Sequence, residues 1–238
     1  PLTSQANHTS ASLNGGYFRV PTCPQLSVIR DFTVEMWVRF GPLRPIAEII
    51  ASKGQLGPTN WHFIYQVDGT VQANIYGGAV AYLFDQASGG PVPGVWYHLA
   101  ATYEDIGNGM MTIHTFVNGQ PRGVATGFAL QDTSGADLYI GAYPGGQYTF
   151  HGLMDEFRFT PRVLRPQEML IAGEQPIPVL GTVPDPVFVS PGTIVDDSLR
   201  AAAAGAPILL QPNGYRYFFT TSTGGSVRLA PHPSGPYL

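Results

Sequence analysis

Asp155 and Glu156 stand side by side in HGLMDEFRFTPRVL, residues 151–164, a run otherwise made of strand-forming residues. Adjacent carboxyls invite a catalytic reading, because many hydrolases divide acid and base roles between one raised and one ordinary pKa. Retaining glycoside hydrolysis needs its two carboxyls roughly 5 Å apart with the substrate between them. Neighbours on a strand point to opposite sides, so this pair cannot work that way. Ser, His and Asp are present, but no Gly-x-Ser-x-Gly elbow or comparable context singles out a nucleophile. The chain is therefore expected not to be an enzyme.

The remaining chemistry-bearing residues read as binding or packing groups. His62, His98 and His114 fall on separate expected strands without a ligand-type partner at i+2 or i+4, which fits satisfied sheet histidines better than zinc ligands. Cys23 is the sole cysteine, so an internal disulfide and a Cys-based zinc site are both excluded. Trp37, Trp61 and Trp96 sit within strands and read as sheet packing. Tyr82, Tyr143 and Tyr148 lie at or near Gly-rich loops, where an aromatic face can meet a sugar, and they are the candidate glycan-binding residues. Asp155 alternates with Leu153, Phe157 and Phe159, which points it toward the core side, where a carboxylate needs N–H donors, a polar partner or a cation.

The elements that position these residues are strands. FTVEMWVRF, residues 32–40, alternates Phe32, Val34, Met36, Val38 and Phe40 on one face against Thr33, Glu35, Trp37 and Arg39 on the other. Similar runs recur, separated by turn signals such as Asp68-Gly69, Asn108-Gly109, Asn118-Gly119 and Gly145-Gly146. With 29 Gly, 22 Pro and a single lysine, Lys53, among 238 residues, the chain reads as an all-β, two-sheet sandwich or barrel. A net charge of −4 argues against a phosphate-tracking, nucleic-acid-binding surface. No apolar run approaches the roughly 18 residues of a membrane span, and no charged, apolar signal segment opens the chain.

Composition divides the chain. Residues 1–9 read as an N-terminal arm and 10–175 as the sandwich. A Pro-punctuated strap covers 176–206, and a small β-meander with a tail covers 207–238. Only RPQEMLIAG and DSLRAAAAG suggest helices, both short and peripheral.

In order, SLNGGYFRVP with FTVEMWVRF, IIASKG, GVWYHLAATYEDIGNGMMTIHTFVNGQPRG, and LYIGAY followed by FHGLMDEFRFTPRVL resemble the laminin G-like branch of the concanavalin A-like lectin/glucanase superfamily. The resemblance covers about residues 10–172 and leaves the last 60 or so unmatched. It implies an antiparallel jelly roll with the first and last strands adjacent. The catalytic branch's Glu-x-Asp-x-x-Glu is absent here. If the strands pair as implied, Glu35, Arg39, Glu156 and Arg158 form a cross-strand charge ladder. Some relatives hold calcium, for which Asp155, Asn14 and loop carbonyls are the candidate ligands. Asn14 stands where relatives commonly have Asp, and calcium wants six to eight oxygens, mostly with several carboxylates.

Two functional expectations follow. The first is a non-catalytic structural or adhesive protein of a larger assembly, such as a virus or phage capsid-decorating or fibre protein on a particle surface, with other protein chains as partners. It draws on the unsignalled Pro1 start and the long Pro-rich segment, which needs a surface to lie on. The second is a secreted carbohydrate-binding module, calcium-assisted or not, that uses the loop tyrosines.

Overall fold

The computed structural model describes residues 9–54, 61–75, 78–130 and 135–170, together with the backbone of five further short strands between 187 and 230. Two antiparallel sheets make the sandwich. The first runs β10 (Gln120–Phe128), β9 (Met110–Val117), β8 (Trp96–Gly107), β3 (Phe32–Phe40), β12 (Gly152–Thr160), β1 (Thr9–Ser12). The second runs β2 (Tyr17–Val20), β11 (Leu138–Ile140), β4 (Glu48–Lys53), β5 (Trp61–Tyr65), β6 (Val71–Ile75), β7 (Val80–Phe84).

Period-two alternation builds the core as the sequence implies. Phe32, Val34, Met36, Val38 and Phe40 are all buried between the sheets. Phe32 stacks on Tyr103 (centroids 4.3 Å apart) and on Phe159 (5.4 Å), and Trp61 of the second sheet closes this aromatic cluster against Phe159 at 6.3 Å. Asn108-Gly109 and Asn118-Gly119 adopt left-handed backbone at both positions, with φ of 54° and 71°, then 51° and 75°. Those are the dihedrals a two-residue type I′ hairpin demands, and they join β8 to β9 and β9 to β10.

Beyond residue 186, β13 (Val187–Val189) pairs with β2, β14 (Thr193–Asp196) with β1, and β15 (Leu210–Pro212) runs parallel to β12. β16 (Arg216–Phe219) and β17 (Val227–Ala230) pair with each other. The DSLRAAAAG run lies outside the described residues, as do most of the Pro-rich strap and residues 1–8 of the arm.

β12 departs from simple alternation. Its register on β3 runs Met154↔Val38 and Asp155↔Trp37, then resumes at Arg158↔Glu35, a β-bulge with Glu156 in left-handed backbone at φ 48°. The extra residue shifts the period by one. Met154, Phe157 and Phe159 therefore face the core, while Asp155 stands opposite Trp37 on the outer face rather than inward. Of the expected ladder, Glu35 and Arg158 are the pair that the register brings opposite each other.

The bulge brings Arg158 directly opposite Glu35. Glu35, at 0% exposure, accepts from Arg158 Nε (2.6 Å) and Nη2 through Oε1, and from His98 Nε2 (3.0 Å) and the Leu170 N–H (2.7 Å) through Oε2. Arg158 Nη2 also donates to the Glu168 carbonyl at 2.9 Å. These bonds hold residues 161–170 across the outer face of the first sheet. Thr33 Oγ1 donates to the Arg162 carbonyl and accepts from the Leu164 N–H, both at 2.9 Å. Leu164 and Met169 pack on Ala100 and Phe116. Among the described residues of RPQEMLIAG, Pro166–Glu168 form a 3-10 turn in place of the expected helix, and the Leu170 N–H goes to Glu35 rather than to a preceding carbonyl. Arg39 stands outside this cluster and donates to the Gly94 carbonyl at 2.7 Å.

Burial alone would raise the Glu35 pKa, but Arg158 and His98 outweigh it and hold the carboxylate below its ordinary 4.5. A depressed carboxylate contributes stability that is present above its unfolded value and is lost as the pH falls below it. Acid unfolding of Glu35→Gln is expected to be shallower below pH 4.5 than that of the parent chain. Arg158→Ala, which strands a buried carboxylate, is expected to cost about 3–5 kcal/mol by denaturant unfolding. The double change Glu35→Leu with Arg158→Met is expected to recover only part of that loss, because it leaves the Leu170 N–H and the Glu168 carbonyl without their partners.

Candidate functional site

With the first sheet's outer face covered around Glu35 by 161–170, the outer face of the second sheet carries the distinctive side chains. Trp61, Phe63, Val71 and Ala73 point into the core, so His62, Ile64, Gln72 and Asn74 point out. Registers place two cross-strand rows there. One row is Tyr82, Gln72, Ile64, Ile49, and the next is Val80, Asn74, His62, Ser52, Tyr139, Arg19.

Polar groups along β6 and β5 form a hydrogen-bonded chain. Thr70 Oγ1 donates to Asp68 Oδ1 at 2.7 Å and accepts from Gln72 Nε2 at 3.3 Å. Asn74 Nδ2 donates to Gln72 Oε1 at 3.2 Å and bonds His62 Nε2 at 3.3 Å. Burial lowers the His62 pKa to about 4, so the ring is neutral at physiological pH and Nε2 is an acceptor there. Asn74 is only 7% exposed, and its Oδ1 has no hydrogen-bond partner.

Two aromatic side chains rise from this floor. Tyr82, 42% exposed, stands on β7 beside Gln72. Its backbone is clamped: its carbonyl accepts from Thr115 Oγ1 at 2.5 Å, and a Cβ at Gly123 of β10 would lie 2.5 Å from that oxygen. Tyr148, 51% exposed, comes from the loop after β11. It holds left-handed backbone at φ 53°, an uncommon and costly state for a bulky residue, and its carbonyl accepts from the Ile49 N–H at 2.7 Å.

Tyr143 has a different place from the exposed one expected of it. It is 7% exposed, packs on Ile49 and Ile64, and meets His62 edge-on with centroids 5.2 Å apart. Tyr148 leans edge-on against it at 6.0 Å. Tyr143 is thus the wall that supports Tyr148, held by a tight loop in which its N–H donates to the Gln147 carbonyl and its carbonyl accepts from the Gly146 N–H. Gly145 and Gly146, at φ 78° and 75°, permit that turn.

The candidate calcium ligands are not brought together. Asn14 is exposed in the turn after β1, while the register Ala11↔Met154 and the bond from the Leu13 N–H to Gly152 put Asp155 about four residues away, roughly 13 Å along the strand. Asp155 Oδ1 accepts from the Glu156 N–H at 2.8 Å. Among the described residues no group of three or more His, Cys, Asp or Glu is placed to hold a metal ion, and no helix is long and apolar enough to cross a membrane.

Sequence reasoning missed two features. The amide row was visible only as polar Gln72 and Asn74 alternating with apolar residues in VQANI. The other is buried Glu48, which accepts from Arg44 Nη1 at 3.0 Å and lies 3.1 Å from His151 Nδ1, joining β4 to the segment before β12. Burial raises its pKa against the pull of Arg44 and His151.

Comparison with known proteins agrees with this architecture. No curated protein matches the sequence. Among solved structures, a heptameric SAP-like pentraxin from Limulus polyphemus shares 15% identity at a TM-score of 0.52, over 82% of this chain and 98% of the pentraxin. A proposed carbohydrate-binding protein from Bacteroides ovatus shares 18% identity at 0.57, over 94% of this chain and 58% of its own. Domains LG4-5 of the mouse laminin alpha1 chain share 16% at 0.50, over 65% of this chain and 41% of theirs. At such identities the likeness is one of fold. A laminin G family model described as the concanavalin A-like lectin/glucanases superfamily matches residues 12–169, and the chain belongs to that family.

Proposed function

We propose that the chain is a non-catalytic carbohydrate-binding module that takes a glycan on the outer face of its second sheet, in an extracellular setting. One observation carries this reading: two exposed tyrosines, Tyr82 and Tyr148, flank a fixed row of amides and an imidazole whose buried Asn74 Oδ1 lacks a partner. Aromatic faces stack on the apolar face of a sugar ring, and a few convergent polar groups then orient it. The backbone strain at Tyr148 supports a functional role, since a glycine would meet the turn without cost. The two exposed rings and the amides that separate them include no pair of carboxylates suited to glycoside hydrolysis. The superfamily and the designation of the Bacteroides ovatus protein are consistent with binding.

A contact surface within a larger assembly is the second reading. It is favoured by β10, where Val124 and Phe128 are exposed on one face of the strand, Phe128 at 71%. Neither the family nor the structural relatives support a virus or phage particle as that assembly. If β10 mediates self-association, Phe128→Ser is expected to shift sedimentation toward the monomer.

A glycan array, run with and without chelator, tests the first reading, and no binding in either condition would count decisively against it. Tyr82→Ala and Tyr148→Gly are each expected to weaken binding about tenfold, on the order of 1.4 kcal/mol. Tyr148→Gly is also expected to leave the melting temperature unchanged or higher, which separates lost stacking from lost folding. Because the folded His62 pKa lies near 4, the amide row stays neutral as the pH falls from 7 to 5. Affinity is therefore expected to hold across that range and to decline only as the pH approaches 4.

A further inference from the structure

We infer that Asn74 Oδ1 is the specificity-determining acceptor of this face, oriented by a relay from Asp68, and that the site takes uncharged sugars presenting a hydroxyl or acetamido N–H and rejects acidic ones. The inference rests on the glycan-binding reading above and names its ligand class.

The relay has one direction. An ionised carboxylate only accepts, so the Thr70 hydroxyl, 2.7 Å from Asp68 Oδ1, spends its proton there. Its oxygen must then accept, which turns Gln72 Nε2 toward it and leaves Gln72 Oε1 for Asn74 Nδ2. The other Nδ2 proton goes to His62 Nε2. Both donors of Asn74 are therefore used inside the protein, and its carbonyl is what remains. Buried polar atoms nearly always have a partner, so an oxygen left without one marks a place where a donor belongs. Oδ1 is shielded from solvent, and a ligand reaches it by displacing a neighbour. Val80, half-exposed and opposite Asn74 on β7, is the side chain such a ligand would displace.

Sugar hydroxyls and acetamido groups supply the missing donor. Carboxylates and sulfates supply only acceptors and set negative charge against a carbonyl oxygen. An acidic glycan that sets its anionic group on this face would need a cation in compensation, and the guanidinium of this row, Arg19, is bonded to Asp137 at 2.5 Å. Lys53 donates to the Ala136 carbonyl at 2.5 Å and lies buried.

The test uses calorimetry on neutral probes (arabinan, galactan, xylan and N-acetyllactosamine) and acidic ones (polygalacturonate, heparin and 3′-sialyl-N-acetyllactosamine). The full chain is expected to prefer its best neutral probe to every acidic one by at least 30-fold. Asn74→Leu is expected to lose at least tenfold on that probe. Asp68→Leu, which releases the relay, is expected to lose about threefold to tenfold, while Asp68→Asn, which keeps an acceptor for Thr70, is expected to retain affinity. Should Asn74→Leu fail to fold, the neutral-to-acidic ratio of the unaltered chain decides alone. Equal binding of acidic and neutral probes, or full affinity in Asn74→Leu, overturns the inference; if Tyr82→Ala and Tyr148→Gly still weaken binding, the site itself stands. Binding indifferent to both tyrosines overturns the site and the inference together.

Discussion

A glutamate and an arginine that meet out of reach of water organise this molecule. Glu35 and Arg158 face each other across β3 and β12 only because a bulge at Glu156 advances the second strand by one residue. Stripping two charges of water is expensive unless their remaining hydrogen-bonding capacity is met. His98, the Leu170 N–H and the Glu168 carbonyl meet it, and two of those three come from residues 161–170. The pair is therefore satisfied only when that segment lies across the sheet. Packing of Leu164 and Met169 on Ala100 and Phe116 excludes the water that would otherwise screen the charges.

Closing the first sheet has a consequence for the second. Each face of a sandwich must be covered or solvated, and here residues 161–170 cover the part of the first sheet's outer face around Glu35, Ala100 and Phe116. The outer face of the second keeps exposed aromatic rings above buried amides, an arrangement that folding alone does not require. Tyr82 is held through its backbone by Thr115 and Gly123, and Tyr148 through its supporting wall Tyr143. Binding surfaces built this way lose little freedom when a ligand arrives, because the rings are placed before contact.

Much of the fold was legible from side-chain alternation. FTVEMWVRF showed which residues of β3 are core, and Asn-Gly at 108–109 and 118–119 marked two hairpins, because only a few residues tolerate left-handed backbone. The laminin G-like resemblance implied a jelly roll with its first and last strands adjacent, and β1 does pair with β12. The site was legible in part. Tyr82 and Tyr148 stood out beside Gly-rich loops, but Tyr143 had the same signal and lies buried, because whether a loop folds over a sheet depends on residues far away, here Ile49, Ile64 and His62. The amide row was hidden, since Gln72 and Asn74 acquire a meaning only when His62 is aligned beside them.

β12 shows where local pattern ends. By itself the sequence determined that MDEFRF is a strand, that it carries charge on one side, and that its adjacent acids cannot act as a catalytic pair, because these follow from the two-residue period of an extended chain. It could not reveal the bulge, since Glu156 bears no mark of a left-handed backbone and the period looks intact when read along one strand. Only pairing with β3 decided that Asp155 turns outward and that Arg158 meets Glu35. The physical reason is that register belongs to two strands together, and a bulge is stabilised by contacts across the sheet and by the segment that covers it, none of which are neighbours in sequence.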